Sequence, residues 1–215
     1  MKKPFILLFA AILALANVTA KAQSFDGGFL AGVVTSQIDG DGYGGFHQLG
    51  WTGGMFGRIP GEGPLSWQLE LRYTLLGAHS DAKEVDMGMA PMNIRLHYAE
   101  LPVMLRYDLS GINVNGSPLK FITLEAGVSA DFLIYGAQSA YLEDLFPNSS
   151  WLFFTVAGHL GMQFDVNPNL GINLRTLASL TPCRWRGDAP SVFYGHYYNI
   201  AIAAGVTYTL FHKGE

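Results

Sequence analysis

From Leu96 to Leu109 the chain alternates. Leu101, Val103, Leu105, Tyr107 and Leu109 are apolar, while Tyr98, Glu100, Met104, Arg106 and Asp108 between them are mostly polar or charged. A period of two marks a strand with two unlike faces. In a soluble sandwich the apolar face packs inward; in a membrane barrel it meets lipid and the charges line the lumen. The alternation recurs along the chain. Leu65, Trp67, Leu69, Leu71, Tyr73 and Leu75 oppose Ser66, Gln68, Glu70, Arg72 and Thr74. Leu124, Ala126, Val128, Ala130, Phe132 and Ile134 oppose Thr123, Glu125, Gly127, Ser129 and Asp131. Ile172, Leu174, Ala178 and Leu180 oppose Asn173, Arg175 and Ser179, and Tyr198 to Leu210 repeats the pattern against Asn199, Thr207 and Thr209. Eight strands are predicted: Phe25–Thr35, Leu49–Ile59, Leu65–Leu76, Ile94–Leu109, Leu119–Tyr135, Trp151–Val166, Leu170–Leu180 and Tyr197–Phe211. No amphipathic helical period separates them. The first two are glycine-rich and show no clear facing.

The connections decide which way the apolar faces point. Ser36–Gln48, Gly77–Asn93, Gly136–Ser150 and Thr181–His196 are long, whereas Pro60–Pro64 and Asn167–Asn169 are short and Ser110–Pro118, with its Asn115-Gly116 turn pair, is shorter than its neighbours. An up-and-down barrel with both termini in the periplasm has four long outer loops and three short inner turns, and all seven connections fit that order. A Greek-key sandwich has no reason to alternate so regularly. Each apolar face is about six residues deep, near the roughly 25 Å lipid-facing band of such barrels. Trp67, Tyr73, Tyr107, Tyr198 and Tyr208 lie near the ends of these faces, where interfacial girdles form. The expected fold is all-β, an eight-stranded antiparallel up-and-down transmembrane β-barrel.

Composition agrees. Charged residues make up 14% of the chain, aromatics 13%, and there are 26 glycines, an apolar balance without any membrane-length apolar run beyond the N-terminus. That N-terminus reads as a signal peptide. Lys2 and Lys3 precede the apolar run Phe5–Leu15, and Ala20-Lys21-Ala22 offers a small-x-small cleavage site, which divides the chain into a leader, 1–22, and one barrel domain, 23–215. Removing Lys2, Lys3 and Lys21 takes the basic count from 13 to 10 against 17 acids, a net charge of −7. This disfavours nucleic acid, which needs a basic surface. A single cysteine, Cys183, forms no internal disulfide.

Projected inward, the polar faces supply Glu70, Glu100, Glu125 and Asp131 as acids and Arg58, Arg72, Arg106 and Arg175 as bases. An eight-stranded barrel is only wide enough for side chains to fill it. Buried charges without partners are costly, so four against four predicts a mutually paired, plugged lumen. The alternative is a narrow path for protons or ions, or a small-ligand carrier.

The segment Tyr98-Ala-Glu-Leu-Pro-Val-Met-Leu-Arg-Tyr107 resembles the Tyr-x-Glu-(Ile/Leu)-Pro-x-x-x-(Lys/Arg)-Tyr motif of the PorT-like outer-membrane β-barrel proteins of Bacteroidetes. Its motif residues here are Tyr98, Glu100, Pro102, Arg106 and Tyr107. Gln37–Gly54 is similar to the first-loop signature of that group, and Leu124–Phe132 to its middle strand. The resemblance spans nearly the whole mature chain and implies an outer-membrane barrel without implying an activity. A few members are linked to type IX secretion and gliding. The chain departs from an aromatic C-terminus, ending Phe211-His-Lys-Gly-Glu215.

Other motifs have plain readings. Asp39-Gly-Asp-Gly42 resembles half a calcium loop but lacks a downstream bidentate Glu, so a turn is expected. Arg186-Gly-Asp188 and Asn148-Ser-Ser150 are short tripeptides that occur by chance, and six dispersed histidines form no metal spacing. Outer-loop Asp81, Asp86, Asp144, Asp188, His79 and His196 leave room for a rim hydrolase, yet no nucleophile motif accompanies them. The sequence therefore predicts a non-enzymatic protein without metal or cofactor. Its expected surroundings are outer-membrane lipid and, through Tyr141, Leu142, Leu145, Phe146, Trp185, Phe193, Tyr194 and Tyr197, protein partners in the outer membrane or a secretion machinery. Pro102 lacks a ladder donor and predicts a bulge or break in its strand.

Overall fold

The computed structural model describes residues 25–61, 63–89, 91–114, 117–119, 121–140, 143–144, 151–185 and 195–212. The predicted leader and its cleavage site, the Asn115-Gly116 pair, Asn148–Ser150, Arg186–Asp188 and most of the loop aromatics lie outside these residues. Eight long strands form the wall: β1 (Asp26–Asp39), β2 (Gln48–Pro60), β3 (Leu65–His79), β4 (Met92–Asp108), β5 (Ile122–Ala140), β6 (Phe154–Asp165), β7 (Leu170–Ser179) and β8 (Tyr198–Phe211). Each pairs antiparallel with the next, and β8 returns to β1, so the sheet closes without an exposed edge. Closure leaves no free sheet edge in the wall, as a structure in hydrocarbon requires.

The glycines of β1 and β8 shape that closing seam. Gly32 pairs with Gly205, and a Cβ on either would lie 2.6 or 2.5 Å from the partner strand's carbonyl oxygen. Only glycine fits such an approach.

Two connections differ from expectation. Residues 109–121, between β4 and β5, are longer than the outer connection 40–47, so the alternation of lengths fails there. This inner segment has its own order, a 3₁₀ turn at Leu109–Gly111 followed by a short ladder of 113–114 with 117–118. The outer connection after β3 carries a short helix, α1 (Ala82–Asp86), which no periodicity announced. Its capping box is complete, with Asp81 at the N-cap and Glu84 reaching back to the Asp81 N–H at 2.8 Å. The other Glu84 oxygen accepts from the Gly44 N–H at 2.8 Å and ties the first outer loop to the second.

Four strands also run at least two residues further at their outer ends than predicted, β1 to Asp39, β3 to His79, β4 from Met92 and β5 to Ala140. The alternation changes sign in these extensions. On β4, Leu101, Val103, Leu105 and Tyr107 face outward and Glu100 and Arg106 inward; above Tyr98, Met92, Ile94 and Leu96 turn inward while Asn93, Arg95 and His97 face out. Likewise Leu76 and Ala78 are buried beside outward His79, and Ile38 beside outward Asp39. Below the boundary the barrel follows the membrane rule, and above it the soluble rule. The outer third is thus a collar with an apolar interior of Val34, Ile38, Leu76, Ile94, Leu96 and Leu177, a feature that a single phase along each strand does not anticipate.

Pro102 interrupts the ladder as expected, on one side. Pairing of β3 with β4 passes from Leu69–Val103 to Arg72–Glu100 with nothing between, while the β5 side continues through Pro102–Ser129. The bulge sits elsewhere. Opposite His97 and Tyr98 the register jumps from Tyr135 to Leu133, leaving Ile134 as the extra residue on β5.

Candidate functional site

Beneath the collar lies a charged belt. Glu70 and Arg72 come from β3, Glu100 and Arg106 from β4, Glu125 from β5 and Arg175 from β7, all buried. Strands β3 and β7 stand on opposite walls, so the Arg175–Glu70 bond crosses the lumen. It is bidentate, 2.8 Å from Nη1 to Oε2 and 2.9 Å from Nη2 to Oε1. The same Arg175 Nη2 donates to Glu125 Oε2 at 2.8 Å. Arg106 pairs with the other Glu125 oxygen, and Arg72 pairs with Glu100 and, at 3.5 Å, with Glu70. The result is one alternating chain, Glu100–Arg72–Glu70–Arg175–Glu125–Arg106.

Neutral groups complete it. Gln68 Nε2 donates to Glu70 at 2.7 Å, and its oxygen accepts from Arg106 at 3.1 Å. Gln163 Oε1 accepts from Arg106, and Asn173 donates to Glu125 at 2.8 Å. His159 faces Arg72 through Nδ1 at 3.4 Å and Ser129 through Nε2 at 2.7 Å. A guanidinium only donates, so Nδ1 is the acceptor and Nε2 carries the proton. Sequence reasoning placed none of Gln163, His159 and Asn173 in the network, although their inward parity on β6 and β7 carried the signal.

The expected pairing of four bases with four acids is not what forms. Arg58 stands at the periplasmic mouth, 3.9 Å from Asp26 and hydrogen-bonded to Gln68. Asp131 pairs across strands with Glu100 and has no basic partner within ion-pair distance among the described residues. Among the described residues, Asp131 Oδ1, Glu100 Oε1 and Thr155 Oγ1 are buried without hydrogen-bond partners. Which groups meet is decided by height along the axis, and a count of charges does not encode height. Of the motif residues, Tyr98 lies in the collar and accepts from Asn199 Nδ2 at 3.1 Å, Pro102 faces inward, and Tyr107 faces out at the inner end of the wall.

Space inside is scarce. Voids beside Arg72 and Arg175 measure about 20 and 10 Å³, room for a water molecule at most. Recesses of about 320 and 230 Å³ open at the periplasmic mouth around Arg58 and Asp165. Arg184 stacks 5.3 Å from the rings of both Trp151 and Tyr197 and donates to Gln138 at 3.0 Å. Beside it, Cys183 is fully buried with Sγ 3.3 Å from the Tyr197 carbonyl. Burial pushes its thiol up to about 12, which makes it unreactive. Among the described residues no three His, Cys, Asp or Glu side chains are grouped to hold a metal.

In the first outer loop, Asp39-Gly-Asp-Gly42 is a turn, with Gly40 and Gly42 at φ 94° and 87° and Asp41 Oδ1 accepting from the Tyr43 N–H at 2.9 Å. Burial raises the Asp41 carboxyl to about 6, with neighbouring Glu84 and Asp39 adding to the effect. The folded loop therefore keeps this proton to higher pH than the unfolded chain, and its contribution to stability is full below about pH 4 and lost as pH rises through about 6. A carbon-13 carboxyl titration is expected to place the Asp41 midpoint near 6, and lower in Glu84→Gln; a midpoint at the ordinary value of about 4 would contradict this.

The family model described as outer membrane protein beta-barrel domain matches residues 21–183. No curated protein matches the chain. Among solved structures, Ail, the attachment invasion locus protein of Yersinia pestis, is similar with a TM-score of 0.51 at 14% identity, over 86% of this chain and 98% of that one. The same protein in complex with the heparin analogue sucrose octasulfate gives 0.50 at 13% identity, over 87% and 99%. Neisserial surface protein A gives 0.45 at 13% identity, over 87% and 97%. At such identities the likeness to Ail is one of fold. Together with the closed wall and its outward apolar band, the match assigns the chain to the outer membrane protein beta-barrel domain family, located in the outer membrane.

Proposed function

We propose that this protein is a sealed, non-enzymatic membrane scaffold that presents its outer loops to a protein partner. The observation that carries the reading is the filled lumen. A cross-lumen ion-pair chain, with voids of only about 20 and 10 Å³ beside it, fills the middle of the barrel and leaves the outer surface as the place to act. That surface offers apolar groups. Phe46, Val85, Met87 and Trp185 are exposed at the outer end, and α1 with its Glu84–Gly44 tie holds two loops in fixed relation. The resemblance to PorT-like proteins makes components of a type IX secretion machinery one class of partner to look for. Mild detergent extraction from native membranes, followed by affinity capture of the full chain, is expected to bring down a stoichiometric partner, and the same preparation is expected to be silent in planar bilayers. Recovery of the barrel alone, or steady conductance, would each count against the proposal.

A further inference from the structure

An aromatic row crosses the outward face of β2, β3, β4 and β5 at the collar boundary. Four rings run side by side. Trp51 lies 4.5 Å from Tyr73, Tyr73 lies 5.9 Å from His97, and His97 lies 5.4 Å from Tyr135 in a T-shaped contact. The row continues the lipid-facing band and ends it, as an aromatic girdle at the outer headgroups does. Two residues further out on the same face of β4 stands Arg95, exposed, with His79 outward on β3 nearby. On β1, at a comparable height, the outward residues are Thr35, Gln37 and the acid Asp39. Arg95 and His79 thus give the β3–β4 face basic groups that the β1 face lacks at this height.

Three details make this more than a snorkelling arginine. Arg95 has no acid within ion-pair reach among the described residues, and its cross-strand neighbours are Gly77 on one side and Ala137 on the other. Neighbours this small leave the guanidinium in an open notch. His97 is oriented by the Tyr73 hydroxyl, which contacts Nδ1. In the tautomer in which that hydroxyl donates, the ring proton sits on Nε2, on the side of the ring away from Tyr73. Finally, the bulge lies at this point. The extra residue Ile134 leaves both Ile134 and Tyr135 exposed, so the wall bends where Tyr135 meets His97.

We infer that Arg95 and His97, over the Trp51–Tyr73–Tyr135 row, bind the phosphate of an anionic lipid headgroup in the outer leaflet. The guanidinium fork takes two phosphate oxygens, His97 donates to a third, and the aromatic row receives the apolar part of the same lipid. The residues are two apart on one strand face, a separation that the long arginine side chain spans. Charge complementarity selects the ligand class, and the ring row selects a lipid over a soluble anion.

Native mass spectrometry of the full barrel in neutral detergent micelles tests the inference, with heat-modifiable gel mobility confirming that every variant is folded. Phosphatidic acid, whose phosphate is bare, is expected to be retained about tenfold better than phosphatidylcholine, whose phosphate is masked. Arg95→Gln is expected to erase the preference and Arg95→Lys to keep part of it, since an ammonium supplies charge without the fork. His97→Phe, which keeps a ring in the girdle and removes the donor, should lower retention several-fold. Equal retention of the two lipids by the unaltered protein would overturn the inference, as would a preference that survives Arg95→Gln. Displacement of the lipid by millimolar inorganic phosphate would assign the site to a soluble anion and overturn the lipid assignment.

Discussion

Arg175→Met is expected to lower the unfolding free energy by about 3–5 kcal/mol. Arg175 holds two carboxylates, Glu70 through both oxygens and Glu125 through one, and each is buried. Removing it leaves two acids in a space that admits a water molecule at most, so solvent cannot take over the lost contacts. The broken chain would also separate Glu100–Arg72–Glu70 from Glu125–Arg106. Arg58→Met makes the contrast. Arg58 sits at the periplasmic mouth with a long 3.9 Å contact to Asp26, and its loss should cost less than half as much. Urea unfolding in micelles, followed by tryptophan fluorescence, measures both. A loss below about 1 kcal/mol for Arg175→Met would mean that water reaches the belt and that the lumen is not sealed.

The second large effect concerns the wall. Val103→Lys is expected to destabilise by about 2–4 kcal/mol, because Val103 lies midway along the outward apolar run of β4. Gln37→Lys, on an outward position of the collar, is expected to change stability by about 1 kcal/mol or less. The same lysine on the same outer face thus has two costs that depend on depth alone. Comparable costs at both positions, in the same unfolding assay in lipid, would remove the boundary that the phase reversal marks.

Much of the wall was legible because its signal is local. The inward parity of Glu70, Glu100, Glu125 and Arg175 follows from period two within each strand, and β3, β5, β7 and β8 face as their alternation predicts. The collar was not legible in the same way. Leu96 and Leu101 are both apolar, yet one packs in the core and the other faces out. Only a change of surroundings along the strand, from lipid to water, separates them. Pairing inside the lumen was harder still. Glu70 and Arg175 are 105 residues apart on strands that never touch, and their meeting depends on strand stagger around the closed sheet. The surplus acid Asp131 and the displaced base Arg58 are consequences of that stagger. The helix α1 escaped notice because its capping box, Asp81 to Glu84, encloses too few residues to show a period.

The phase reversal also fixes how deep the barrel floats. A wall of uniform alternation could ride higher or lower by a residue at little cost, following the thickness of the bilayer. Here a downward slip drives Arg95 and Asp39 into hydrocarbon, and an upward slip lifts Ala99 and Leu75, just inside the boundary, into water. Both directions are penalised, so the barrel holds its immersion depth and the surrounding lipid must adjust to it. Thickness changes in the outer membrane would then be absorbed by the lipid annulus, leaving the height of the outer loops above the surface constant.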